Sequence, residues 1–228
     1  EYKVFNAIKE LFNSASRKRK VGKKKTKIVH RGVRVVHKYK DTDQAHLVLG
    51  FRSFPYRDKR NVVVNVIRGV LSSGISSRLF QRLREELGIC YYVSAHNGPS
   101  TDHGEFGVIS GVDPKRIDVA VEAIIDEFNK LKTDLVAEDE LKKVKTSMVS
   151  RMYMSLETSD NILDHFSHRS TFYDDLKTPQ KIEKEILAVK PQDIRKMAKE
   201  LFTNKDTLLA IVSKNANKPK LKKLLAFK

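Results

Sequence analysis

LSSGISSRLFQRLREELGICYYVSA, residues 71–95, holds a turn, a helix, a stop and a strand in one short span. Ser76 and Ser77 stand where a helix start needs a cap. Leu79, Phe80, Leu83 and Leu87 then recur at the three- and four-residue spacing that gives helix 77–87 one apolar arc. Gly88 supplies the helix stop, and CYYVSAH at 90–96 is β-rich. Arg78 and Arg82 fall opposite the arc, as solvated charges. Arg84 falls beside Phe80, at the edge of the arc. Tyr91, seven residues on, opens a strand expected to carry Val93 and Ala95 on its face. A guanidinium and a phenol thus meet at one helix–strand junction, where both can donate hydrogen bonds to a carbonyl or an oxyanion. The same two residues also fit a purely structural arrangement, with Arg84 paired to an acid and Tyr91 filling the core.

The flanking sequence fixes the fold class. QAHLVLGFRSF at 44–54 alternates Ala45, Leu47, Leu49 and Phe51 on one face, and IVHRGVRVVHKY at 28–39 is a further strand. KRNVVVNVIRGVLSS at 59–73 is too long for a strand and reads as a buried helix despite its β-branched residues. After a fourth strand, GEFGVISGV at 104–112, Asp113-Pro114 starts a helix with Ile117, Val121, Ile124, Phe128 and Leu131 on one stripe. Helices follow at about 137–157 and 160–174, after Thr178-Pro179, and from Pro191 to Phe202. TLLAIVS at 207–213 is a continuous apolar run, expected to be a strand covered on both faces. Strands and helices come in runs, not in strict alternation. That order predicts an α+β fold with a largely antiparallel sheet packed against helices.

The net charge of +17 belongs to the ends of the chain. Residues 1–40 hold 14 Lys and Arg against two acids, 214–228 hold six Lys and no acid, and the body is close to neutral. Residues 2–13 form a short amphipathic helix around Val4, Ile8 and Leu11 or Phe12, and SRKRKVGKKKTK at 16–27 has no core face. The expected division is 1–27 as the end of an upstream domain with a basic linker, 28–213 as the main domain, and 214–228 as a solvated basic tail. The opening at Glu1 fits an excised piece of a longer polypeptide. Basic ends attract polyanions, but neither aromatic-interleaved basic strands nor a recognition-helix signal accompanies them, so no specific nucleic-acid partner is expected. No apolar run approaches the roughly 18 residues of a membrane span.

The usual catalytic signatures do not occur. None of the seven histidines forms H-x-x-E-H or H-E-x-x-H, and His165 and His168 lack a third ligand nearby. There is no G-x-S-x-G elbow and no phosphate loop, and Cys90, the single cysteine, reads as a buried inert thiol. LSSGISS at 71–77 reads first as a helix–helix turn, and second as an anion cradle.

Residues 71–95 resemble the segment G-x-S-S-R-L-(F)-x-x-L-R-E-x-x-G-x-x-Y of the pitrilysin/insulinase family of zinc metallopeptidases, which includes mitochondrial processing peptidase. The order of the neighbouring strands, the D-P helix at 113–120, EDELKKVKTSM at 138–148 and VKPQDIRKMAKELF at 189–202 extend the resemblance over about 28–213. Lys190 departs from it, standing where the family often has Thr or Ser. The family builds its subunits from two similar halves closing like a clamshell around a peptide chamber, with H-x-x-E-H and its zinc in the first half. The resemblance therefore implies a C-terminal, non-catalytic half that binds peptide substrate through Arg84 and Tyr91. Its partner is a zinc-bearing N-terminal half or subunit, in a dimer or oligomer. This chain has no metal site of its own, and a zinc-bound water in the other half carries out hydrolysis. Alternatives are a scaffold subunit of the same fold and a polyanion binder using the basic ends. The purified chain is expected to bind no stoichiometric zinc and to cleave no peptide. Metal analysis after dialysis, with a peptide-cleavage assay with and without chelator, checks both.

Overall fold

Strict alternation in AHLVLGFRS makes β2 (Ala45–Ser53) a strand with two different faces. Ala45, Leu47, Leu49 and Phe51 are buried, while His46 and Val48 stay exposed. The computed structural model describes residues 2–13, 22–27, 29, 32–173 and 175–225. The expected linker at 14–21, positions 28, 30 and 31 of the first strand, position 174 and the end of the tail at 226–228 lie outside the described residues.

Around β2 the sheet has five strands in the order β1-β5-β2-β4-β3. They are β1 (Gly32–Tyr39), β3 (Cys90–Pro99), β4 (Gly104–Val112) and β5 (Asp206–Ser213) beside β2. Among the described residues only the β1–β5 pair is parallel. The predicted α+β class with a largely antiparallel sheet is the observed one. β5 is central, as its apolar run implies, yet it is not covered on both faces: Leu208 is 42% exposed. The helices cover one face of the sheet and leave the other open.

Helix α2 (Asn61–Ser72) buries Val64, Ile67 and Leu71 at helical spacing, so burial against sheet and helices outweighs the weak helix propensity of its valines. Asp113 caps the next helical stretch by accepting from the Lys115 N–H at 2.8 Å, and all five residues of the expected stripe of α4 (Ile117–Thr133) are buried. Helices α5 (Glu138–Met154), α6 (Ser159–Phe172), α7 (Pro179–Ala188) and α8 (Pro191–Leu201) follow. The start of α8 survives the substitution of Lys190 for a capping hydroxyl, because Asp193 accepts from the Lys190 N–H at 2.9 Å.

The two basic ends differ. Helix α1 (Tyr2–Asn13) leaves Val4, Phe5, Ile8, Leu11 and Phe12 exposed. Residues 22–27 do not float free: Lys23 donates to Thr101 and Thr26 donates its N–H to Asp102 at 2.7 Å. At the other end, the expectation of a solvated tail is overturned. Asn217 caps a short helix α9 (Lys218–Leu224), Lys220 pairs with Asp118, and Leu221 and Leu225 are fully buried in the core. Lysine content hid two core leucines spaced one helical turn apart. Trimming at 213 is therefore expected to destabilise the domain, and Leu221→Ala to cost about 2–5 kcal/mol. Leu11→Ala, at an exposed site, should change stability by about 0.5 kcal/mol or less. Urea denaturation of the three variants measures this.

Candidate functional site

The junction carrying Arg84 and Tyr91 has an unusual backbone. α3 (Arg78–Phe80) runs straight into a π-helical stretch, Gln81–Glu86, whose wider turn is a form often found at functional sites. It ends with the Leu87 N–H on the Arg82 carbonyl at 3.2 Å and the Ile89 N–H on the Leu83 carbonyl at 3.0 Å. The reversal needs Gly88, at φ +60°, where a Cβ would be strained. Arg84 lies where the helical spacing predicted, its guanidinium carbon 5.2 Å from the centre of the Phe80 ring. Its Nη1 donates to the Tyr91 carbonyl at 3.0 Å.

Tyr91 itself departs from the expected alternation. Cys90 pairs with Val112 and Tyr92 with Gly111, so Tyr91 is the extra residue of a β-bulge. The bulge lets two successive tyrosines be exposed, Tyr91 at 67% and Tyr92 at 41%, while Cys90 and Ala95 are buried. Tyr91 thus does not share the face of Val93 and Ala95. Neither part of the structural alternative is realised. Tyr91 is not in the core, and among the described residues Arg84 has a carbonyl partner and no acid. Its other N–H groups and the exposed phenol are available to a ligand carbonyl. The neighbouring Cys90 thiol is pushed up in pKa by burial, against the pull of the Arg84 charge, which disfavours the thiolate.

Of the other two arginines of this helix, Arg82 behaves as expected and pairs with Glu86 at the surface. Arg78 does not. Its Nε and Nη2 each donate to a carboxylate oxygen of Glu140 at 2.8 Å, with only 20% of the side chain exposed. This fork ties the junction to α5, and Glu140 raises the Arg78 pKa against the opposing effect of burial. No local pattern announces a partner so distant in sequence.

The open sheet face is a feature that the sequence reading missed. Strand register aligns Val36, Ala210, Val48, Ile109 and Ser94 in one row across all five strands. Leu208, Gly50, Gly107 and His96 form the adjacent row. A Cβ on Gly107 would come within 2.4 Å of the His96 ring, and one on Gly111 within 2.5 Å of the Tyr92 ring. These two rings therefore lie over the two glycines, with the Tyr92 hydroxyl 3.0 Å from His46 Nδ1. A groove of about 470 Å³ continues this face past Gly50, Arg52 and Leu208. The alternation of Gly107, Ile109 and Gly111 in GEFGVISGV was the available signal.

The described residues do not fit a zinc ion. On α2, Asn61 and Asn65 are one turn apart, but with Val64 between them, and both side-chain oxygens accept from the Asn97 amide, at 3.1 and 3.2 Å. Neutral amides already engaged by another amide lack the donor chemistry of a zinc site. Among the described residues no group of three or more His, Cys, Asp or Glu could hold a metal. His168 packs against Tyr56 and Phe172 instead. The 71–77 turn closes on itself, with Ser77 Oγ donating to the Gly74 carbonyl. No described helix is long and apolar enough to cross a membrane.

Residues 2–148 match the family model described as the peptidase M16 inactive domain. The chain belongs to that family. A Bacillus subtilis protein named as an uncharacterized zinc protease is 31% identical over 180 residues, covering 79% of this chain and 44% of that protein. A Rickettsia felis protein of the same description is 28% identical over 177 residues, 77% of this chain and 42% of that protein. The chain thus spans less than half the length of these relatives. A protease from Helicobacter pylori shares the fold at a TM-score of 0.81 and 20% identity, over 93% of this chain and 52% of that one. A peptidase M16 inactive domain from Pseudomonas fluorescens does so at 0.80 and 14% identity, over 95% of this chain and 52% of that one. The family read from residues 71–95 is the observed family, and this chain is a non-catalytic half of it. Within the junction, Arg78→Ala should cost about 1–3 kcal/mol by stranding Glu140, and Arg82→Ala about 0.5 kcal/mol or less. Paired denaturation curves test the contrast.

Proposed function

We propose that this chain is the substrate-holding half of a zinc endopeptidase and that its open sheet face is one wall of the peptide chamber. The observation that carries the reading is the apolar row across that face. An antiparallel sheet with one solvated face ordinarily turns polar residues outward. Here Val36, Val48, Ile109 and Leu208 are 36–42% exposed side by side, over a glycine-lined surface. An exposed apolar patch of this kind marks a face that something covers.

A peptide lying on the row would find side-chain contacts there and polar donors at the rim. Arg84 and the bulged Tyr91 stand beside Tyr92, at the end of edge strand β3. Arg84 then orients a peptide carbonyl through its remaining guanidinium N–H groups, and the Tyr91 phenol donates to a second acceptor. Both roles are substrate-holding, and the hydrolytic chemistry belongs to the zinc-bearing half. That half closes over the open face, as part of the same polypeptide or as a separate subunit in a dimer or oligomer. Two features support it: the relatives have more than twice the matched length, and α1 offers an exposed apolar stripe suited to packing on another body. On this reading α1 ends the zinc-bearing half and residues 14–27 connect the two.

With the zinc-bearing half restored, Arg84→Ala and Tyr91→Phe should each lower kcat/KM by about 2–4 kcal/mol in transition-state terms. Arg82→Ala should leave cleavage nearly unchanged. Melting temperature and partner affinity should hold in all three variants. Loss of stability in step with loss of activity would return Arg84 and Tyr91 to a structural role and overturn the assignment.

A further inference from the structure

A second concavity lies away from the junction, between α2 and α5, with a volume of about 420 Å³. Arg68 from α2 and Arg151 from α5 both line it, beside the hydroxyl residues Ser73 and Ser155 and the thioethers of Met148 and Met152. Among the described residues neither guanidinium has a hydrogen-bond or ion-pair partner. Five other arginines do have an acidic partner: Arg52 with Asp206, Arg60 with Asp58, Arg78 with Glu140, Arg82 with Glu86 and Arg169 with Asp175. The two charges also sense each other. Arg68 keeps solvent access, yet burial first and the Arg151 charge second both lower its pKa.

Two like charges that share one groove without a counter-charge destabilise the unliganded protein, and an oxyanion between them removes that repulsion. Guanidinium groups meet carboxylate and phosphate oxygens through paired N–H donors, and the serine hydroxyls can supply further hydrogen bonds. The methionines offer an adaptable apolar side to the rest of a ligand. We propose that the α2–α5 groove is a binding site for a small oxyanion-bearing molecule, carboxylate or phosphate, held between Arg68 and Arg151. This site is independent of the peptide-binding reading: it shares no residue with Arg84, Tyr91 or the open sheet face.

Isothermal titration of the 228-residue chain with inorganic phosphate and, separately, with succinate tests the proposal and distinguishes the two anion classes. Chloride at matched ionic strength is the control. Saturable binding of at least one probe is expected, weakened about tenfold or more by Arg68→Gln and by Arg151→Gln. It should be unchanged by Lys222→Gln/Lys223→Gln on α9, which samples general attraction to the basic end. In anion-free, low-salt buffer the two Arg→Gln variants should melt no lower than the parent, because repulsion is relieved. No saturable binding of either probe up to about 20 mM, where affinity is already negligible, would overturn the proposal. So would binding that survives both Arg→Gln substitutions or is lost with the α9 lysines. If one Gln variant does not fold, the other and the parent titration still decide.

Discussion

Phe202 stacks on Phe128 with 4.2 Å between ring centres, while Phe51 and Phe106 meet its ring edge-on at 5.2 and 5.6 Å. These four rings come from β2, β4, α4 and the residue that follows α8, so one aromatic cluster pins two helices to the middle strand of the sheet and one of its neighbours. Each ring brings a large buried area, and each pair adds about 0.5–1.5 kcal/mol through its geometry. The buried stripes of the helical layer pack on this one side. The other face of the sheet is left without a covering layer, and the peptide-chamber reading starts from that asymmetry.

The asymmetry also explains why exposed residues here look like core. Ala210, Val48 and Ile109 alternate along β5, β2 and β4 with buried residues, and Val36 alternates along β1 with half-buried ones. In a self-contained domain those positions favour polar side chains, since no burial compensates an apolar one. Glycines at 107 and 111 then keep the surface low enough for the His96 and Tyr92 rings to lie on it. The β-bulge at Tyr91 adds polar reach at one end of the edge strand, and the π-helical stretch before it sets Arg84 against the same strand end.

Conflicts between charge and burial account for the readings that failed. The segment after Ser213 reads as a solvated tail by composition, because its lysines outnumber its leucines. Packing selects by position, and Leu221 and Leu225 fall one turn apart on the face that meets the core. Arg78 reads as solvated by its place on the helical wheel, but Glu140 arrives from a distant helix and makes it a half-buried tie. TLLAIVS reads as covered on both faces because its run is continuous. In the folded chain it is central in the sheet but open on one side.

The sequence by itself determined the α+β class, the order of elements, the buried stripes of β2 and α4, and the position of Arg84 beside Phe80. All of these follow from spacings of two, three or four residues, which local backbone geometry converts directly into faces. It also carried the family, through the ordered motif at 71–95. Only the tertiary structure decided which face of the sheet stays open, which surface charges find partners, and that Arg68 and Arg151 share a groove without one. Those outcomes depend on strand register and on helices meeting across more than sixty residues of chain, and no local periodicity encodes such pairings.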